Sequence, residues 1–271
     1  MKILAVDFDG VISDSALKSL FVSHNAYCRH FGPEVKKNFG GQLFTFENWE
    51  QMKKEYSREM EKYRKLRAYV ELPADFLVMI RIIEEQLEVN NQEEFIKIRN
   101  QLDCDYHFFH ELFFQEKERW QKKDFASWFS LSPVYEEVVA GIKQFLAQGV
   151  KVVIATSNLG KAIYPAFHPD YLGFQIAKQD IFDKNCGPRK SDHMKAIVDR
   201  YKVSFDKIYF VDDQLSYLEE AQALGVNVFL AGWGYCTEEQ KKVARKKGIT
   251  VIEKEKDFYP TMKQFFDQVG Y

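Results

Sequence analysis

Apolar residues follow two alternating patterns near the two ends of the chain. Short, nearly continuous apolar runs such as VVIAT and IYFV are separated by stretches whose apolar residues recur at helical spacing. Continuous apolar runs are typical of strands buried on both faces, and their alternation with helices predicts βαβ units and a parallel sheet. The predicted strands cover residues 3–6, 150–155, 208–211, 226–230 and 249–252, and the predicted helices cover residues 134–148, 192–201 and 215–224.

Residues 15–131 follow the helical pattern almost throughout. Runs such as ALKSLFVSHNAYCRHF, WEQMKKEYSREMEKYRKL and YHFFHELFFQEKERW repeat apolar residues three and four positions apart, and β-branched runs are few. An all-helical insertion of about 115 residues is large enough to form a domain of its own. We therefore predict an α/β core from residues 1–14 and 132–271, interrupted by a helical domain at residues 15–131.

The composition is that of a globular protein without a strong net charge. Of the 271 residues, 46% are hydrophobic and 29% are charged, and the net charge is −2. This balance provides no basic field for nucleic acid and no polybasic face for anionic lipid. No apolar run approaches the roughly 18 residues that span a bilayer, and the N-terminal run is too short for a signal peptide. We therefore expect neither nucleic acid nor a membrane as a partner.

The cysteines point to a reducing compartment. The chain has four of them, Cys28, Cys104, Cys186 and Cys236, and none stands in a spacing typical of a metal site. Isolated cysteines of this kind are expected to be reduced thiols, which are typical of a cytoplasmic protein. We therefore predict a cytoplasmic location and no structural zinc.

Polar residues follow three of the predicted strands. The first apolar run ends in DFDG, the second in TSN and the third in DD, and a lysine stands in the segment GPRKSD. In an open α/β sheet, ligands bind beyond the carboxyl ends of the strands, so these segments could converge on one crevice. For DFDG alone, a tight turn is an equal alternative, because Asp and Gly are common turn residues. The candidate residues are Asp7, Asp9, Thr156, Ser157, Asn158, Lys190, Asp212 and Asp213.

Several carboxylates that share a small crevice need a counter-charge. Two unit charges about 4 Å apart repel by roughly 4 kcal/mol at an effective dielectric constant of 20. A divalent cation relieves this repulsion, and Mg²⁺ is the expected ion because it keeps coordination positions for water and a substrate phosphate. One carboxylate at such a site can attack phosphorus, and a second can protonate the leaving oxygen. The spacing of Asp7 and Asp9 fits this pair of roles.

Three of these segments resemble motifs of the haloacid dehalogenase superfamily of phosphatases. DFDGVISDS resembles the first motif, VIATSN the second and KIYFVDDQLSYLEEAQALGV the fourth, while FLAGWGY is typical of the phosphoglycolate-phosphatase-like branch. The resemblance covers residues 1–15 and about 134–255. It implies an α/β fold with a Rossmann-like parallel sheet core. The helical insertion directly after the first motif is similar to the C1 cap domain of that family, although it is longer.

The resemblance also implies roles for the acidic residues. Asp7 would be the nucleophile and a Mg²⁺ ligand, and an aspartyl-phosphate would form on its carboxylate. Asp9 would be the general acid and base and would bind Mg²⁺ through its backbone carbonyl. Asp213 would be the third metal ligand.

The substrate phosphate would be held by residues from two further segments. Thr156 and the backbone amides near Ser157 and Asn158 would bind the phosphate oxygens. Lys190 would neutralise the nucleophile and the transferred phosphoryl group.

The sequence departs from the family pattern at two motifs. In the fourth motif, commonly GDxxxD, Asp212 occupies the glycine position and Tyr217 the position of the second acid. Asp212 either replaces the missing charge or lies outside the ligand shell. In the third motif, Ser191 stands where a proline usually follows the lysine, and Lys184 is a rival of Lys190 for the cationic role.

These observations favour a Mg²⁺-dependent phosphatase that hydrolyses a small phosphorylated metabolite. Two alternatives stay open: a phosphomutase of the same superfamily, which passes the phosphoryl group to a sugar hydroxyl, and a non-catalytic protein that binds phosphate ligands or protein partners. The presence of Asp7, Asp9, Thr156 and Asp213 argues against the non-catalytic alternative. The aromatic share of 15% is compatible with a monomer or a homodimer.

Overall fold

The computed structural model describes residues 1–31, 39–101 and 106–267. The chain forms two compact units, one from Met1–Asp14 and Pro133–Tyr271 and the other from Ser15–Ser132. Of the four cysteines, Cys28, Cys186 and Cys236 are free thiols, and Cys104 lies outside the described residues. Within the described ranges, no helix combines the length and the apolar character that crossing a membrane requires.

The first unit is built on a six-stranded parallel sheet in the order β3-β2-β1-β4-β5-β6. The four residues of β1 are completely buried at the centre of the sheet, which explains why the first apolar run has no polar face. The predicted parallel α/β sheet with an inserted helical region is thereby confirmed. The strands are β1 Ile3–Val6, β2 Lys151–Ala155, β3 Ile181–Phe182, β4 Ile208–Asp212, β5 Asn227–Ala231 and β6 Thr250–Ile252.

The register of the three central strands decides which residues meet at the carboxyl edge. Val6 of β1 pairs with Ile154 of β2 on one side and with Val211 of β4 on the other. The backbone N–H of Asp7 continues this ladder and donates to the carbonyl of Val211 at 3.0 Å. The residues that follow these pairs therefore leave the sheet side by side.

The helices of the first unit differ from the predicted ones at their ends. Lys190 is the first residue of its helix, whereas the sequence pattern placed it in a loop before a helix at 192–201. The two-residue strand β3 and the helices at 160–163, 238–246 and 258–267 were not predicted. The first two are too short for a pattern and the third is strongly polar, whereas the apolar residues at helical spacing in 258–267 were overlooked. The α-helices of the first unit are α8 Glu136–Ala147, α9 Gly160–Ile163, α10 Lys190–Tyr201, α11 Leu215–Gln222, α12 Glu238–Lys246 and α13 Phe258–Asp267.

The second unit is helical and packs around its own aromatic core. The ring of Phe21 lies 5.3 Å from that of Trp49 and 5.0 Å from that of Trp120. The predicted helical run at 49–66 divides into two helices at Tyr56, whose backbone leaves the helical conformation. The helices are α1 Ala16–Phe31, α2 Trp49–Glu55, α3 Ser57–Leu66, α4 Asp75–Glu84, α5 Gln92–Gln101, α6 Tyr106–Lys123 and α7 Phe125–Ser130.

Candidate active site

Three carboxylates meet at the carboxyl edge of the sheet. Asp7 follows β1, Asp212 is the last residue of β4, and Asp213 comes next in the chain. Each offers an oxygen atom, and these atoms all lie within 4.8 Å of one another. All three side chains are buried, so water does little to screen their repulsion. The structure thus brings together Asp7 and Asp213, which were predicted as ligands, with Asp212, whose part was left open.

One buried ammonium group counters this charge. Nζ of Lys190 lies 2.9 Å from Oδ1 of Asp7, 3.0 Å from Oδ2 of Asp212 and 2.7 Å from the carbonyl oxygen of Ala155. The contacts with Asp7 and Ala155 are hydrogen bonds that the ammonium donates, whereas Oδ2 of Asp212 lies beside it as an ion-pair partner without a hydrogen bond. Lys190 is therefore the cation that holds Asp7, whereas its rival Lys184 is half-buried in a short turn, Lys184–Cys186, whose other two residues are exposed.

The protonation equilibria follow from this crowding. Burial raises the pKa of Asp7 well above its usual range; Lys190 opposes that shift, and the neighbouring Asp212, Asp213 and Asp9 add to it. Burial likewise raises the pKa of Asp212, although Lys190 opposes this too. Burial alone would lower the pKa of Lys190, but the two carboxylates outweigh it and raise that pKa. One ammonium is thus too little positive charge for three ionised acids.

The donor set fits a divalent cation of the Mg²⁺ type. Carboxylate oxygens are the ligands that Mg²⁺ prefers, and a buried cluster of three with a single lysine keeps a net negative charge. Asp213 is also tightly enclosed, because a Cβ atom on Gly10 would lie 2.3 Å from its Oδ2 and one on Gly234 would lie 2.4 Å from its Cβ. Sequence reasoning assigned no role to either glycine, although DFDG and FLAGWGY contained the signal.

The second predicted acid is held by the segment after β2. Nδ2 of Asn158 donates to Oδ2 of Asp9 at 3.0 Å, and the N–H of Asn158 donates to Oγ1 of Thr156 at 3.1 Å. Thr156 is completely buried and donates its own N–H to the carbonyl of Phe182 at 2.9 Å, whereas Ser157 is exposed. Asn158 therefore has a role that was not predicted for it, since its side chain orients Asp9.

The first 225 residues of the chain match a single protein family. The matching family model covers residues 1–225 and describes haloacid dehalogenase-like hydrolases. The chain belongs to this family. The hydrolase class and the family inferred from the motifs are thereby confirmed. No curated protein matches the sequence.

Solved structures of the haloacid dehalogenase-like fold align along almost the whole chain. A predicted phosphoglycolate phosphatase from Haemophilus somnus is 14% identical with a TM-score of 0.58, and covers 97% of this chain and 98% of its own. The haloacid dehalogenase-like family protein SP0104 from Streptococcus pneumoniae is 11% identical with a TM-score of 0.57, covering 98% and 99%. A candidate beta-phosphoglucomutase from Thermotoga maritima is 16% identical with a TM-score of 0.54, covering 97% and 99%. At identities this low, the similarity shows that the fold is shared and nothing more.

The fourth motif of this haloacid dehalogenase-like hydrolase is built differently from the common pattern. Oδ1 of Asp212 accepts the N–H of Gln214 at 2.9 Å, while Oδ2 faces Lys190. The ring of Tyr217, which stands in the usual position of an acid, lies 5.2 Å from Nζ of Lys190, and the ring of Phe210 lies 5.5 Å from it. Asp212 thus supplies the second buried carboxylate of this motif, and Tyr217 contributes an aromatic face to the ammonium.

Proposed function

We propose that the protein is a Mg²⁺-dependent phosphatase that hydrolyses a small-molecule phosphomonoester through an aspartyl-phosphate on Asp7. One observation carries the proposal: Asp7 stands at the end of the central strand, in contact with Lys190 and within reach of Asp212 and Asp213. Asp9 lies two residues further on and is oriented by Asn158. This is a nucleophile with a separate acid and base beside it.

Asp7 and Asp213 would hold Mg²⁺ through their carboxylates, and Asp9 would add its backbone carbonyl. The bound ion would neutralise the carboxylates and the incoming phosphate, which otherwise repel each other. Asp212 is occupied with Lys190 and the N–H of Gln214, so we assign it the task of holding the ammonium against Asp7. The lysine in turn opposes the rise in the pKa of Asp7 and orients its carboxylate for attack.

In the first step, a carboxylate oxygen of Asp7 attacks phosphorus and the bond from phosphorus to the ester oxygen breaks. The carboxyl group of Asp9 gives its proton to the leaving oxygen, so an alcohol departs. In the second step, Asp9 takes a proton from water while the water oxygen attacks phosphorus. The bond to Asp7 breaks, inorganic phosphate leaves, and both aspartates return to their starting states.

The transferred phosphoryl group needs donors beside the nucleophile. The hydroxyl of Thr156 and the backbone amide of Ser157 follow the neighbouring strand β2, and we assign them to the phosphate oxygens. The N–H of Asn158 donates to Oγ1 of Thr156 and would orient that hydroxyl towards the phosphate. Lys190 would contribute mainly its charge, because Asp7, Asp212 and the carbonyl of Ala155 already surround its ammonium. The cap role of residues 15–131, the cytoplasmic location and the choice between monomer and homodimer stay predictions.

A phosphomutase is the second candidate. It is favoured by the structural similarity to the candidate beta-phosphoglucomutase, since the same two aspartates can pass the phosphoryl group to a sugar hydroxyl. A mutase would require a sugar bisphosphate as activator and would yield an isomer of the substrate, with little inorganic phosphate. Product analysis of the active substrate therefore separates the two candidates.

The test is phosphate release from a panel of phosphorylated metabolites, with Mg²⁺ and with EDTA. We expect turnover of at least one phosphomonoester, its loss in EDTA, and a loss on the order of 10³-fold or more in Asp7→Asn, which keeps the shape but removes the nucleophile. Asp199→Asn, an exposed position on α10, is the matched control and should keep full activity. Full activity in Asp7→Asn would disprove the nucleophile, and an inactive wild-type protein on every substrate would favour a binding function.

A further inference from the structure

The loop that follows β5 reaches both the acidic cluster and the points where the chain leaves and re-enters the α/β unit. It covers residues 232–236, and we call it the 232–236 loop. The N–H of Gly232 donates to the carbonyl of Ile252 at 2.8 Å, and the N–H of Gly234 donates to that of Ala231 at 3.0 Å. These bonds fix the base of the loop on β5 and β6.

At one end, the loop contacts Asp213 through a hydrogen bond and close packing. The N–H of Tyr235 donates to Oδ2 of Asp213 at 2.8 Å. Gly234 packs so closely that an added Cβ would lie 2.4 Å from both the Cβ of Asp213 and the carbonyl oxygen of Gly10. A charge-assisted bond from a backbone N–H both orients a carboxylate and stabilises its ionised form. The position of Asp213 therefore depends on the position of this loop.

At the other end, two side chains anchor the loop to the segment after β1. The hydroxyl of Tyr235 donates to Oδ1 of Asp14 at 3.0 Å, and Tyr235 is only 8% exposed. Nε1 of Trp233 donates to the carbonyl of Val11 at 3.2 Å. The anchor itself is fixed, because the N–H of Asp14 donates to the carbonyl of Pro133 at 2.8 Å. The same tyrosine thus joins Asp213 to the paired segments at Asp14 and Pro133.

We infer that Tyr235 is a positioning residue for the metal site, which sets the carboxylate of Asp213 through a loop tied to Asp14. The backbone of Tyr235 makes the bond to Asp213, and its hydroxyl holds that backbone in place. The hydroxyl does not touch the acids, so its effect on them is transmitted through the loop. The inference rests on the proposed function for the role of Asp213, but it concerns metal binding and needs no turnover.

The test is Mg²⁺ binding to the full chain by isothermal titration calorimetry, with thermal unfolding of the metal-free protein measured beside it. Tyr235→Phe removes the hydroxyl and keeps the ring and the backbone N–H. We expect its Kd for Mg²⁺ to rise about fivefold, the typical net effect of one hydrogen bond. Tyr259→Phe is the matched control, because the hydroxyl of Tyr259 accepts a hydrogen bond from Nε2 of Gln148 at 2.6 Å, and neither residue belongs to the 232–236 loop. The Kd of this variant for Mg²⁺ should equal that of the wild type.

The partner of the hydroxyl gives a second, independent set of variants. Asp14→Ala removes the acceptor and should raise the Kd for Mg²⁺ about as much as Tyr235→Phe. The double variant should have a Kd no higher than that of the single variant with the higher Kd, because both substitutions remove the same hydrogen bond. Asp14→Asn keeps an oxygen acceptor without the charge and should stay within about twofold of the wild type. Equal weakening in Asp14→Asn and Asp14→Ala would assign the effect to charge and overturn the inference.

The remaining outcomes separate this inference from the proposed function. An unchanged Kd in Tyr235→Phe together with a lower unfolding temperature would show a purely structural hydroxyl and refute the inference alone. A wild-type chain that binds Mg²⁺ but hydrolyses no phosphomonoester would refute the proposed function and leave the inference standing. A wild-type chain that binds no Mg²⁺ would refute both.

Discussion

Buried charge is handled differently in the two units of the molecule. In the helical unit, the completely buried Asp75 has its own donors: Oδ2 accepts the N–H groups of Glu71 and Leu72, both at 2.9 Å, and Arg99 lies 3.3 Å from Oδ1. In the α/β unit, the three acids Asp7, Asp212 and Asp213 have one ammonium between them. Asp75 thus has donors from the backbone before its helix and from Arg99, whereas the three acids of the α/β unit are short of positive charge.

This difference suggests which unit carries the chemistry. A buried carboxylate with enough donors is stable as it stands and binds nothing further. A cluster with a charge deficit is costly without a ligand, because each additional ionised acid repels its neighbours in a medium that screens poorly. Perturbed groups of this kind concentrate at functional sites. The α/β unit therefore contains the candidate site, and Asp75 of the helical unit serves the stability of that unit.

Removal of the ammonium of Lys190 should affect stability and activity more than any other change. Lys190→Met leaves three buried carboxylates without a counter-charge, so we expect the metal-free protein to lose about 3–5 kcal/mol of unfolding free energy. Phosphatase activity should fall on the order of 10³-fold. Urea unfolding in EDTA and steady-state rates in Mg²⁺ measure the two effects.

Arg99→Met is the matched change in the helical unit. Asp75 keeps both backbone donors, so the expected loss is only about 1 kcal/mol, with activity unchanged. Equal destabilisation by the two substitutions would show that the acids of the α/β unit are no more dependent on their cation than Asp75 is.

The sequence predicted the parts of the site that lie at the ends of apolar runs. Asp7 and Asp212 could be found because a buried strand that ends in an acid is conspicuous within a few residues. The contact between Lys190 and Asp7 joins residues 183 positions apart, and no local pattern distinguishes Lys190 from Lys184. Only the order of the strands and the start of α10 place that ammonium among the acids.

The features that the sequence did not predict depend on packing. The start of α10 at Lys190 lies in a polar segment without apolar periodicity, and β3 is only two residues long. The role of Gly234 follows from its distance to Asp213, a residue in another loop. Such features depend on contacts between distant segments, whereas apolar periodicity reports only on neighbours in sequence.

A buried histidine in each unit should make the fold less stable in acid, whereas the raised pKa values of Asp7 and Asp212 act in the opposite direction in the α/β unit. Burial lowers the pKa of His24 in α1 and of His193 in α10 to about 4. The unfolded chain takes up these protons as the pH falls through about 6.5, while the folded chain does so only near pH 4. The stabilising contribution is thus fully present above pH 6.5 and is lost as the pH falls towards 4. Each histidine should cost about 2 kcal/mol between pH 7 and pH 5.

Urea unfolding at pH 7 and pH 5 measures this loss. His24→Gln keeps a donor for the carbonyl of Gln42, which Nε2 of His24 contacts at 2.8 Å, and cannot take up a proton. The free energy of unfolding of this variant should therefore fall less between pH 7 and pH 5 than that of the wild type. The difference should be the contribution of one histidine, about 2 kcal/mol. An unchanged pH dependence in this variant would mean that His24 is protonated in the folded chain as readily as in the unfolded one.

A smaller effect is expected from a buried hydroxyl of the helical unit. The hydroxyl of Tyr63 lies 3.3 Å from Oγ of Ser19 and 3.1 Å from Oγ of Ser23, and both serines also donate to backbone carbonyls of α1. Tyr63→Phe leaves the serines with these carbonyl partners, so unfolding should become easier by about 1 kcal/mol. Activity per folded molecule should not change. A large fall in kcat would show that this unit contributes to the chemistry.

The smallest effect is expected at Tyr217, which tests whether a neutral ring at the position of an acid has a part in the site. Tyr217→Phe keeps the aromatic face 5.2 Å from Nζ of Lys190 and removes only the hydroxyl, which is hydrogen-bonded to the side chain of Ser157. Because Ser157 belongs to the segment assigned to the phosphate, KM should rise about two- to threefold, which is below 1 kcal/mol, while kcat stays the same. Tyr217→Leu also removes the aromatic face, so kcat should fall as Lys190 loses a contact that helps to hold it on Asp7. If Tyr217→Phe and Tyr217→Leu lower kcat equally, the site uses the hydroxyl and not the ring. The ammonium is then held only by its contacts with Asp7, Asp212 and the carbonyl of Ala155.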